Sequence, residues 1–143
     1  MNKINNINNI IPIKYYYNII ELKSIILKDN WKKSGIYCWT NLISGKSYVG
    51  SAKYLNSRLS TYYSLNTINK ILNKGSSIIY SAILKYGHSN FRLDILEYCE
   101  SSRLLNREQY YLDLLMPEYN IKIAGSRLGH KLSKKPKKKY VTL

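Results

Sequence analysis

The sequence predicts an α+β domain on three observations. These are a tyrosine-bearing hairpin at residues 34–50, an alternating strand at residues 91–98, and apolar stripes of helical period between and after them. Gly35-Ile36-Tyr37 opens one short run and Tyr48-Val49-Gly50 closes the next, both rich in β-branched and aromatic residues. Asn41 to Lys46 supply the turn chemistry, and Ser44-Gly45 offers the positive φ that a tight connection needs. With the turn centred on Ser44-Gly45, Asn41 lies opposite Tyr48. Tyr37, an even number of residues from Asn41, then shares its face, so both phenols project from one side of the sheet.

The remaining elements follow in chain order. Residues 1–14 are Asn-, Ile- and Lys-rich, a low-complexity start with little reason to order. Residues 15–28 carry Ile19, Ile20, Ile26 and Leu27 at spacings that permit a helix, with Asp29-Asn30 as its stop. Leu55, Leu59 and Tyr62 predict a short helix over residues 55–63, on which Arg58 and Tyr62, four apart, lie on one side. Residues 64–75 are polar and Asn-rich and read as a loop. Ser76 or Ser77 caps a second helix with the stripe Ile79, Ala82, Ile83 and Tyr86, and Gly87 suits its C-terminus. In the third strand Phe91, Leu93 and Ile95 face one way, and Arg92, Asp94 and Leu96 the other. The strongest helix starts at Ser101-Ser102 and ends before Pro117, with the stripe Leu104, Leu105, Tyr111, Leu112 and Leu115. Glu108 falls inside that stripe. After Tyr119-Asn120 comes a short extended piece, then a tail with seven basic residues and no acid.

Composition sets the limits. The 143 residues suit one domain with tails: an N-terminal extension over 1–33, partly disordered or helical, a core over 34–124, and a basic tail over 125–143. A formal charge of +15 and a pI near 9.8 make a polyanion the expected partner. No apolar run is long enough to span a bilayer, and the N-terminus resembles neither a signal nor a transit peptide. Cys38 and Cys99, with His88 and His130 far apart, give no zinc-ligand spacing. A reducing compartment is the simpler inference, with a single bridge left open. The bias to Ile, Asn, Lys and Tyr points to an AT-rich genome such as an organelle's.

Two features suggest chemistry. Between Asp29 and Asp94 there is no acidic residue, while Lys32, Lys33, Lys46, Lys53, Arg58, Lys70, Lys74, Lys85 and Arg92 fall there. That block surrounds the hairpin and suits phosphates, although codon bias alone would also enrich lysine. A carboxylate on a core-facing stripe, as at Glu108, must be paired, protonated or coordinated. The plainest partner is a tyrosine, an arginine or backbone N–H groups. In a positive pocket, the same carboxylate could instead hold a divalent cation against a phosphodiester, with Arg58 neutralising the phosphate.

Together these residues resemble the GIY-YIG endonuclease family. The likeness runs from Ser34 to about Ala124 and rests on five elements in order. They are Gly35-Ile36-Tyr37; Tyr48-Val49-Gly50-Ser51, with valine for isoleucine; Arg58; Glu108; and Asn120. Residues 82–87 and 91–97 are more particularly similar to group I intron-encoded homing nucleases of fungal mitochondria. The resemblance implies a small three-stranded antiparallel sheet flanked by helices and one Mg²⁺ or Mn²⁺ ion on Glu108. It implies a monomer acting on double-stranded DNA without a small-molecule cofactor, encoded in the mitochondrion. Tyr37 or Tyr48 would activate the attacking water. An ordinary phenol, pKa about 10, does this poorly at neutral pH unless nearby cations favour its ionised form. Arg58 would steady the scissile phosphate and Asn120 would position the site.

The sequence also departs from the family. Where some members carry a histidine one helical turn after the arginine, this chain has Tyr62, which is included with the catalytic candidates but cannot carry an imidazolium proton. Residues 125–129 look like the start of a DNA-recognition module cut short by the lysine tail. Lys46, Lys53, Arg127, Lys131, Lys134 and Lys135 are the candidate DNA contacts, offering backbone attraction rather than base readout. Two rivals remain: a remnant that binds DNA without cutting it, and a basic RNA-binding protein.

Overall fold

The tyrosine hairpin forms the middle and one edge of an antiparallel sheet in the computed structural model, which describes residues 10–75 and 77–120. Strand β2 (Gly35–Asn41) pairs with β3 (Ser47–Ala52) on one side and with β4 (Phe91–Tyr98) on the other. A short strand β1 (Lys14–Tyr16) pairs with the far side of β4, giving the order β1-β4-β2-β3. The sheet therefore has four antiparallel strands where three were expected, and β3 is an edge strand.

The hairpin register differs from expectation by two residues. Trp39, not Asn41, lies opposite Tyr48, and Thr40 lies opposite Ser47. The turn closes earlier because the Asn41 side chain accepts hydrogen bonds from the Ile43 and Ser44 N–H groups at 2.9 and 3.2 Å. A two-residue shift preserves the alternation of faces, so Tyr37 and Tyr48 still share one. Against β4 the pairing slips by one residue between Ile36 and Tyr37, leaving Leu96 without a direct partner.

On one face of the sheet, Tyr37, Trp39, Phe91, Leu93 and Ile95 meet the helices α1 (Lys23–Asp29), α2 (Leu55–Thr61), α3 (Leu65–Lys74) and α4 (Ile78–Tyr86). On the other, Ile36, Cys38, Val49 and Leu96 lie under α5 (Leu104–Leu115), which contributes Tyr111, Leu112 and Leu115. The alternation read for residues 91–96 thus divides two cores. Cys38 and Cys99 are free thiols, and burial, with Asp94 nearby, pushes the Cys38 thiol up to about 12.

Three readings of the sequence differ from the elements observed. The helix expected over 15–28 begins only at Lys23, because Tyr15 and its neighbours extend the sheet along β4. Its stop at Asp29-Asn30 is as expected. Fully buried Ile19, Ile26 and Asn30 tie this segment to the sheet, with the Tyr98 hydroxyl donating to the Asn30 side chain at 2.8 Å. The Asn-rich stretch at 64–75 is helix α3 rather than loop. Ser64 caps it, accepting from the Thr67 N–H at 3.1 Å, and Ile68 is fully buried. Leu105 is exposed and belongs to the solvent face of α5, since the register of its final turns is set by Tyr111, Leu112 and Leu115. The extended piece after Asn120 lies outside the described residues.

Candidate active site

The site is assembled around Tyr37, whose side chain is fully buried on β2. Its hydroxyl lies 2.7 Å from that of Tyr62, the residue closing α2. Tyr62 in turn stacks on Tyr80 at 4.6 Å and meets Trp39 edge-on at 5.2 Å. The His88 ring N–H donates to the Tyr62 carbonyl at 2.6 Å, which fixes the end of α2. Gly50, the next residue but one after Tyr48, provides the room for the Tyr37 phenol. A Cβ there would lie 2.5 Å from the Tyr37 Cζ and hydroxyl oxygen. The glycine of the second run is thus a steric requirement of the tyrosine of the first.

Tyr48 is half-buried, its ring 6.4 Å from that of Tyr37. Arg58, on the second turn of α2, lies within electrostatic reach of Tyr37, Tyr62 and Tyr80. Burial raises the Tyr37 pKa far above the ordinary phenol range; Tyr48 adds to the rise and Arg58 opposes it without prevailing. Burial and the neighbouring phenols raise Tyr62 in the same direction. Both groups are therefore protonated at neutral pH, and the pair presents hydroxyls rather than a phenolate.

Glu108 approaches from the opposite side. Half-buried on α5, it accepts a hydrogen bond from the Ser51 hydroxyl at 2.7 Å. A β3 serine is thus one of its partners. Arg107 pairs two-pronged with Glu97 at 2.7 and 2.8 Å. Because β3 is an edge strand, groups from both faces can converge around it, with Gly50 and Ser51 as the meeting point.

Asn120 holds that edge. Its side chain accepts from the Val49 N–H and donates to the Val49 carbonyl, each at 2.7 Å. The Tyr119 N–H donates to the Ser47 carbonyl and the Glu118 carboxylate accepts from the Ser47 N–H, at 2.9 and 3.2 Å. Residues 118–120 therefore cover β3 as far as Val49. Ladder alternation turns the backbone N–H and C=O of Ser51 outward as well, at the next place along the strand. Lys46 and Lys53 are exposed at the two ends of β3. Arg127, Lys131, Lys134 and Lys135 lie outside the described residues. Reading the sequence missed the part played by Ser51, although Tyr48-Val49-Gly50-Ser51 was itself legible.

A divalent ion fits this arrangement when held by a single carboxylate. Among the described residues no three or more His, Cys, Asp or Glu side chains group as ligands. A single carboxylate such as Glu108 suits Mg²⁺, which keeps most of its waters and completes its shell with substrate phosphate oxygens.

A buried tyrosine pair, a nearby guanidinium and the Glu108 carboxylate around one sheet edge define a class of α+β domain by its site. Similarity to known proteins narrows the class. Residues 33–120 match the GIY-YIG catalytic domain, and the chain belongs to that family. It is 37% identical to the probable intron-encoded endonuclease bI1 of Neurospora crassa, over 74% of this chain and 24% of that protein. It is 33% identical to the probable intron-encoded endonuclease 1 of the same organism, over 96% of this chain and 43% of that protein. The chain thus spans less than half the length of these relatives. Its fold is similar to the catalytic domain of intron endonuclease I-TevI, solved as a point mutant, with TM-score 0.50 and 29% identity, covering 62% of this chain and 93% of that one.

Proposed function

We propose that this chain is a metal-dependent DNA endonuclease of the intron-encoded homing type, hydrolysing a phosphodiester at the Gly50-Ser51 end of β3. The observation that carries the reading is the convergence at Gly50-Ser51. The Tyr37–Tyr62 pair and Arg58 stand on one face, and Glu108, hydrogen-bonded to Ser51, stands on the other.

Each residue has a role that follows from its surroundings. Glu108 would hold the ion, with the Ser51 hydroxyl fixing the carboxylate's orientation. When bound, a divalent ion supplies Lewis-acid stabilisation of charge on the phosphate and the leaving oxygen. Arg58 offers the phosphate a charged donor beside a buried aromatic wall, where electrostatics are stronger than in water. Tyr37, kept protonated by burial and tethered to Tyr62, would act from within the wall of the site by holding Arg58 rather than by touching the phosphate. Tyr48, less buried, is the phenol that an incoming water or phosphate can reach. Asn120 positions β3 rather than touching substrate, since both ends of its amide are engaged by Val49. Lys46 and Lys53 would track the flanking phosphates. The likeness to intron-encoded relatives supports mitochondrial encoding, and the fold leaves a monomer sufficient to form the site.

The test is cleavage of supercoiled plasmid by the purified chain with Mg²⁺ and with EDTA, beside Glu108→Ala. The expected result is nicking that needs both the metal and Glu108, with DNA affinity nearly unchanged in the variant. Undiminished nicking by Glu108→Ala would remove this residue from the metal site. Binding without cutting in the wild type would favour the inactive remnant.

A further inference from the structure

Beyond the Gly50-Ser51 end of β3 two short loops are fastened together. The Lys32 N–H donates to the Asn56 side-chain oxygen at 3.0 Å, and the Leu55 N–H donates to the Lys33 carbonyl at 2.8 Å. Lys32 adopts φ 54°, a conformation uncommon for a residue with a side chain, and the Asn56 bond helps hold it there. The clasp brings Trp31-Lys32-Lys33 beside Lys53-Tyr54, just past the pair Gly35–Ala52 that ends the hairpin.

What the clasp displays is a basic aromatic surface. Trp31 is 61% exposed and Tyr54 50%, high values for such side chains. A lysine accompanies each ring: Lys32 Nζ lies 5.5 Å from the Trp31 ring centre, and Lys53 Nζ 5.6 Å from that of Tyr54. Lys33 Nζ lies 5.1 Å from the ring centre of Tyr98. The nearest acid in sequence, Asp29, is engaged by the Tyr16 hydroxyl at 2.8 Å. Trp31 and Lys32 precede residue 33, where the match to the family domain begins.

We propose that this surface is a second nucleic-acid contact, in which Trp31 stacks on an unpaired base of the DNA strand leaving the cut site. Lys32, Lys33 and Lys53 take the neighbouring phosphates. Interleaved rings and cations are the chemistry that binds exposed bases and their backbone together. In an intact duplex the base faces are already stacked, so a flat exposed indole selects DNA with a base out of the stack. Ser51, on Glu108, is two residues from Lys53, about 7 Å along an extended strand, so one bound strand could reach both. The proposal rests on the nuclease reading for the identity of the partner as DNA and for the position of the cut site.

The test uses the full chain carrying Glu108→Ala in EDTA, so that nothing is cut. Trp39 is fully buried, and an emission change on binding therefore reports chiefly on Trp31. The probes are a blunt duplex and the same duplex with one unpaired base. Expected are quenching of Trp31 and binding about tenfold tighter to the second duplex. Trp31→Ala should lose that preference while keeping affinity for the blunt duplex. Trp31→Phe should keep the preference and lose the quenching. Equal affinity for the two duplexes, unchanged Trp31 emission with DNA bound, or tighter binding to single-stranded RNA of the same base sequence would each overturn the proposal. Failure of the nuclease reading appears separately, as absent plasmid cleavage by the wild type.

Discussion

Gly50 lies where the Tyr37 phenol crosses β3, and the tolerance there is set by hard contact. A methyl group would stand 2.5 Å from the phenol, which is fully buried and tethered to Tyr62 and so cannot swing aside. Gly50→Ala should therefore destabilise the fold by about 1–3 kcal/mol, the usual result of overpacking, and lower cleavage together with it. Chemical denaturation of the variant checks the first, and the plasmid assay the second. An unchanged midpoint would mean that Tyr37 repacks freely. At this scale the sequence was informative about identity and less so about pairing. Tyr37 and Tyr48 share a face of the hairpin and Arg58 and Tyr62 stand four apart on one helix, as their spacing suggested, but the contact between Tyr37 and Tyr62, 25 residues apart, was announced by neither. The Ser51–Glu108 bond joins residues 57 apart, across a sheet edge, and no local period announces it.

Among the elements, the edge strand depends most on its neighbours. Asn120 supplies β3 with two hydrogen bonds of the kind a fifth strand would give. Removing it leaves the Val49 N–H and carbonyl to solvent, so Asn120→Ala should lower stability by about 1–3 kcal/mol. Amide exchange at Val49 should accelerate beyond the effect on the rest of the sheet. Exchange that rises equally everywhere would deny Asn120 its local role. The elements missed in the sequence share a cause. β1 has three residues, too few to display an alternation, and exists because β4 offers it an edge. α3 was hidden by its asparagines, although Ser64 and the spacing of Ile68, Ile71 and Leu72 carry a cap and a stripe. The hairpin survived a two-residue error because faces repeat every two residues.

For the molecule as a whole, burial of phenols sets a limit in alkali. Burial raises the pKa of Tyr16, Tyr37, Tyr62 and Tyr63, in Tyr16 with help from the Asp29 hydrogen bond. In the unfolded chain these groups ionise near pH 10. Above that the unfolded state binds fewer protons than the folded one, so stability is intact below about pH 10 and falls as pH rises further. Unfolding by circular dichroism should coincide with a step in tyrosinate absorbance, and Tyr37→Phe should move both upward in pH. Smooth titration near pH 10 with the fold intact would contradict the burial. The fold class and the two-sided core were legible because alternation at 91–96 and the stripes of α2, α4 and α5 are local signals.

The exposed border of β3 has another consequence, for solubility. Unpaired strand borders invite a second chain to add on, and proteins commonly guard them with lysine. Lys46 and Lys53 stand at the two ends of this border, and residues 118–120 cover part of what lies between. The cations suited to attracting phosphate are thus also those suited to repelling another copy of the chain. Neutralising them removes a ligand contact and a guard against self-association in the same stroke, so a loss of DNA binding in such variants has meaning only in protein shown to remain dispersed.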